Sequence, residues 1–198
     1  MRNTVDWLAI AKYGRDAEKK ALVDALPSSV VRFSVGDPVT TLFRTFYANE
    51  VAKLFLYSRQ CKTGLDWNWL DEDVFYEAGD ANVPSRGVMA TTIGKDGRNL
   101  LVDVRAPANA KPRVHDDGSK HISFKNTHNA DIILWYDAPN HAICVCKRNG
   151  AKFSKDSPDY HGRVDYTVVG ATDTTEMETS VNELILGHRG RMINNDEI

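Results

Sequence analysis

The chain predicts an α/β or α+β fold: a mixed central sheet built of hairpins, flanked by two N-terminal helices and one C-terminal helix. Three observations predict it. Apolar residues recur at helical spacing through the N-terminal part, short β-branched runs separated by turn signals take over after Val88, and helical spacing returns near the C-terminus. With 198 residues and 42% hydrophobic content, the chain is long enough to form a single domain over 1–198 with a substantial core.

The elements follow in order. From Asp6 to Leu26, the residues Trp7, Ile10, Ala11, Gly14, Ala17, Ala21, Leu22 and Ala25 form one stripe with Lys and Arg opposite, the pattern of an amphipathic helix. "SSVVRFSVGDP" reads as a strand, with Asp37 as a cap and Pro38 in the first turn of the next helix. That helix, "VTTLFRTFYANEVAKLFLYS", offers Leu42, Phe43, Phe46, Val51, Leu54 and Phe55 for burial. Residues 61–87 have no clean period and read as an irregular insertion. "VMATTIG", "NLLVDVR", "HISF", "ADIILWYD", "HAICVCK" and "RVDYTVVG" then read as strands, with 88–94 and 99–105 forming one hairpin and 131–136 and 141–147 another. "TEMETSVNELIL" is helical at Met177, Val181 and Leu184 or Ile185, and "GHRGRMINNDEI" reads as a fraying tail.

Composition excludes several classes. Twenty-five Lys and Arg against 27 Asp and Glu deny the chain a global basic character, so any nucleic-acid contact must come from a local patch. No apolar run approaches membrane-span length and the N-terminus lacks a signal-peptide core, which predicts a cytoplasmic protein without a membrane partner. Cys61, Cys144 and Cys146 fit neither a disulfide framework nor zinc spacing and read as buried thiols.

Asp103 and Arg105 stand two apart on an apolar strand and so share a face, where charge requires either a partner or a chemical task. Ordinary ion pairing with each other, or with Lys95 or Arg98 of the preceding turn, is one explanation. The other comes from three stretches in order: "GRDAEKKALVDAL", "KDGRNLLVDVRAP" and "FKNTHNADIILWYDAPNHAICVCKR". Across under half of its length, the chain resembles the PD-(D/E)XK nuclease superfamily. That resemblance implies a metal-dependent hydrolase cleaving phosphodiesters of DNA or RNA, with Mg2+ held by Asp80 and Asp103, Arg105 in the family's lysine position, and Glu18 as the acid of the opening helix. Arg105 differs from the lysine in that it cannot lose its proton at neutral pH, and "RGVMATTIG" carries no acid, which leaves Asp80 upstream as the first ligand. The alternative is a catalytically inactive nuclease-like module that binds nucleic acid or a partner protein as a regulator or inhibitor.

The stretch from Arg105 to His128 holds five Lys or Arg against two Asp, and Lys111, Arg113, Lys120 and Lys125 are its candidate phosphate contacts. His115, Asp116, Asp117, His121 and His128 in the same stretch match no zinc spacing. Glu176 and Glu178 resemble the paired acids of ADP-ribosyltransferases, without an identifiable serine motif between them and "SRGV". Trp67 and Trp69, with Phe75 and Tyr76, suit either a stacking platform for bases or the packing of the insertion onto the sheet.

Overall fold

The computed structural model describes residues 13–24, 39–58, 67–69, 90–93, 99–107 and 109–196. In chain order its helices and strands are α1 (Asp16–Asp24), α2 (Val39–Tyr57), β1 (Trp67–Trp69), β2 (Ala90–Ile93), β3 (Asn99–Arg105), β4 (Arg113–Val114), β5 (Lys120–Lys125), β6 (Ile132–Asp137), β7 (Ala142–Arg148), β8 (Arg163–Asp173) and α3 (Thr175–Asp196). All six strands expected after Val88 are present. β1, inside the stretch read as irregular, and the two-residue β4 are additions. The expected strand at 28–38, the turn at 94–98, Cys61, Phe75, Tyr76 and Asp80 lie outside the described residues.

The strands form one mixed sheet in the order β1-β2-β3-β6-β7-β8-β5-β4. Both expected hairpins form, with Ala90 opposite Val102 and Leu134 opposite Val145. Only β3 and β6 run parallel, and parallel neighbours need a crossover. Residues 106–131 supply it and carry the β4–β5 hairpin, with β5 antiparallel to β8. At a spacing of about 4.8 Å per strand, β3 and β5 would lie roughly 19 Å apart in a flat sheet. Yet the Arg105 guanidinium donates to the carbonyl of Lys125 at 3.0 Å. The sheet therefore curls, and the face bearing Arg105 is concave.

That concave face holds Ile122, Phe124, Ile133, Trp135, Cys144, Cys146, Val164 and Tyr166, all buried, with Ala110 and Phe153 packed against them. On the opposite face Val102, Leu134, Tyr136 and Ile143 are also buried, whereas Ser123, Lys125, Arg163 and Asp165 at the β5–β8 end face solvent. A bulge on β8 between the partners of Val145 and Cys146 adds to the local twist.

By contact the chain, read from sequence as one domain, divides into two compact units, 1–51 with 174–198, and 52–173. In α2 the buried residues are Phe46, Tyr47, Ala48, Val51, Ala52, Phe55 and Leu56, while Leu54, expected inside, is 38% exposed. In the first unit the Tyr47 hydroxyl lies 3.2 Å from the Glu178 carbonyl and 3.0 Å from Asn182 Oδ1. α3 buries Met177, Val181 and Ile185, leaves Leu184 half-exposed, and continues to Asp196 where a fraying tail was expected. Among the described residues no helix is long and apolar enough to cross a membrane.

Cys144 and Cys146 are free and buried on the concave face. Burial, with Cys144 alongside, pushes the Cys146 thiol up to about 12. Only the thiolate reacts with alkylating agents, so both thiols should resist iodoacetamide in the native protein near neutral pH and react after denaturation. Peptide mass spectrometry checks this, and rapid native labelling of Cys146 would contradict it.

Candidate functional site

Asp103 has no solvent exposure, and its carboxylate is engaged at both oxygens: Oδ1 accepts from Val104 N at 2.8 Å and Oδ2 from Arg105 Nε at 2.6 Å. Arg105 also turns each terminal nitrogen to backbone, Nη1 to Lys125 O at 3.0 Å and Nη2 to Asn126 O at 2.5 Å. One planar fork thus ties a buried carboxylate on β3 to the end of β5. Arginine suits this because its donors diverge in a fixed plane; a lysine ammonium presents its donors from one point.

The clamp holds a turn with three non-glycine residues at positive φ. Asn126, His128 and Asn129 have φ of 52°, 47° and 58°, in the left-handed region that asparagine tolerates better than histidine. Other bonds fix the same turn: Ala130 N donates to Thr127 O, and Asn129 exchanges bonds with both backbone groups of Phe153. Beneath it Tyr166 donates to Ala130 O at 2.7 Å. Burial raises the Tyr166 pKa; Thr127 and Arg148 beside the hydroxyl oppose the rise, and Asp103 adds to it. Thr127 Oγ1 and Arg148 Nε and Nη1 are buried there without hydrogen-bond geometry to a protein partner.

The described residues do not fit a magnesium ion at this place. Asp103 is the one expected ligand among them, and its two oxygens already accept from Val104 N and Arg105 Nε. Among the described residues no three His, Cys, Asp or Glu side chains gather as a metal site. Glu18 belongs to the other unit and is exposed. At the start of α1 it accepts from Arg15 N at 2.9 Å and from Arg15 Nη2 at 3.1 Å, the returning half of a capping box. The backbone bond first, then the guanidinium, hold its carboxyl below the usual range.

The remaining candidates disperse. His128 is buried and meets Tyr160 and His161 edge-on, whereas His115 and His121 meet at the β4–β5 hairpin with ring centroids 3.9 Å apart and planes tilted by 41°. Asp116 is exposed in that hairpin's turn. Glu178 accepts from Thr174 Oγ1 at 2.8 Å, a local bond at the start of α3.

The basic stretch is sorted by the pleat. Arg113 pairs with His121, His121 with Thr167, and Thr167 with Lys147, so one cross-strand row over β4, β5, β8 and β7 has a cation at each end. Four residues along, on the same convex face, Lys125 stands directly opposite Arg163. Arg113, Lys125, Lys147 and Arg163 are all exposed. Lys120 is also exposed but sits one residue out of phase, on the opposite face, and Lys111 lies exposed in the connection before β4. Lys147 and Arg163 were not among the sequence candidates, because they belong to strands far along the chain from the basic stretch.

No protein-family model, no curated protein and no solved structure matches the chain.

The clamp makes a direct prediction. Arg105→Ala leaves a carboxylate buried without its cation and should cost about 3–5 kcal/mol. Arg105→Lys, which restores the residue of the resembled motif, should still cost about 1–3 kcal/mol because two carbonyl bonds lose their donors. Urea unfolding measures both, and a neutral Arg105→Lys would remove the clamp argument.

Proposed function

We propose that this chain is a nucleic-acid-binding module without an assembled hydrolytic centre, using the exposed half of its convex sheet face. One observation carries the reading: four cations from four strands, Arg113, Lys125, Lys147 and Arg163, stand exposed on one face. Like charges directly opposite, as Lys125 and Arg163 are, destabilise a sheet. A polyanion relieves that repulsion by replacing it with phosphate contacts and releasing counterions. The hydrolytic reading is disfavoured because the Asp103 carboxylate and all three Arg105 donor groups are already committed within the fold.

Binding to single- and double-stranded DNA and RNA, measured by fluorescence anisotropy over a salt series, tests the reading. The wild type should bind with an affinity that falls steeply with salt. Replacing Arg113, Lys125, Lys147 and Arg163 by Ala should weaken binding and flatten the salt slope by about one per phosphate contact removed. Each exposed substitution should alter stability by no more than about 0.5 kcal/mol. Lys120→Ala, on the other face, should bind as the wild type does. Salt-independent affinity or none at all would exclude nucleic acid, and divalent-dependent cleavage that Asp103→Asn abolishes would restore the nuclease reading.

A further inference from the structure

His121 lies at the centre of the basic row, with Arg113 across from it on β4 and Thr167 on β8. Its Nδ1 is 2.8 Å from Asp165 Oδ2 and its Nε2 is 3.1 Å from Ser119 Oγ. Ser119 Oγ in turn lies 2.5 Å from Asp117 Oδ1, which also accepts from Ser119 N at 2.9 Å. Hydrogen accounting then sets what the series requires of the ring. A carboxylate only accepts, so the single Ser119 hydroxyl hydrogen belongs to the Asp117 contact, and Oγ faces Nε2 as an acceptor. Nδ1 must donate to Asp165 for the same reason. The complete series therefore requires a hydrogen on each ring nitrogen, and a neutral ring would break one link of it.

The charged and titratable groups around the ring come from every neighbouring element. The β4 hairpin contributes Arg113, His115 and Asp117; β8 contributes Asp165 and Arg163; β7 contributes Lys147; and Lys125 lies further along β5. Asn149 Nδ2 also donates to Asp165 Oδ2 at 2.7 Å, and Thr167 donates to Asn149 Oδ1 at 2.9 Å, so Asp165 is held in place from two sides.

The geometry points to His121 as a proton-operated gate of the phosphate-binding face: as an imidazolium it cancels the charge of Asp165, and on losing its proton it leaves a bare carboxylate among the four cations. The same loss breaks the link through Ser119 to Asp117 that pins the β4–β5 turn carrying Arg113. This inference rests on the nucleic-acid reading of the face. Asp117 does not supply the switch. Its carboxyl is held low by the Ser119 hydroxyl and amide, so its contribution is full above the ordinary carboxylate range and is lost only as pH falls through the depressed value. A hydroxyl, an imidazole and a carboxylate in series also form the layout of an acyl-transfer triad. Here the imidazolium has no lone pair with which to take the serine proton, so the series acts through charge.

Two measurements on the full chain test the gate. Imidazole nitrogen NMR of the free wild type over a pH series should show both His121 nitrogens protonated at the acid end and one proton lost as pH rises. Anisotropy with labelled single- and double-stranded oligonucleotides at constant ionic strength should show affinity falling roughly three- to tenfold over the same range. His121→Gln should abolish that dependence, His115→Gln should keep it, and Asp165→Asn should stay tight at the higher pH. A His121 ring that stays neutral throughout the series, a His121→Gln variant that titrates like the wild type, or covalent capture of Ser119 by a fluorophosphonate would overturn the gate. Wild-type binding that ignores pH sinks the gate alone, whereas no binding at any pH sinks the nucleic-acid reading and the gate together.

Discussion

The second unit depends on one guanidinium. Arg105 connects β3, where the crossover leaves the sheet, to the residues that follow β5, where it turns back towards β6. A crossover of this length loses considerable chain entropy on closure, and its returning turn places three non-glycine residues in the left-handed region, each at a cost of order 1–3 kcal/mol. Such a turn persists only when its surroundings over-determine it. Asp103 orients the arginine, the arginine holds the two carbonyls, and the turn delivers Ala130 to Tyr166. The carboxylate is tolerated in an apolar strand because this arrangement satisfies it, and removing any one member exposes the cost of the others.

Curling divides the labour between the two faces of β5 and β8. Ile122, Phe124, Val164 and Tyr166 point into the concavity, while His121, Ser123, Lys125, Arg163, Asp165 and Thr167 alternate with them and point out. The alternation that builds the core thereby also spaces the outward charges at regular strand intervals. Stability is concentrated on one face and charge on the other, which lets the convex surface be altered without disturbing what keeps the sheet closed.

The sequence made local features legible and left assembled ones hidden. Period-two runs with clear turns gave both hairpins, and the spacing of Asp103 and Arg105 told that they share a face. Nothing local told that Arg105 reaches Lys125 and Asn126, because that contact requires β5 to join the sheet beside β8, a pairing set by long-range packing. The same topology hid Lys147 and Arg163, which become neighbours of the basic stretch only in the folded sheet. β4 is too short to show a period. At the other end, the segment read as a fraying tail is helical through Asp196; Gly187 and Gly190 lie inside it, and glycine inside a helix costs only about 1 kcal/mol and does not end it when the rest of the segment continues. Leu54 was misplaced because α2 is apolar on more than one side, so the stripe does not say which leucine faces inward.

β4 pairs with β5 only at His121 and Lys120, which leaves the outer edge of β5 from Ile122 to Lys125 without a described strand partner. An open edge is a template for another chain, and exposed cations are one of the ways proteins keep such edges apart. Lys125, with Arg163 opposite, stands where that guard is needed. On the proposed nucleic-acid reading, the side chains that guard this edge are the same ones a polyanion would engage, so edge and binding face share one set of charges.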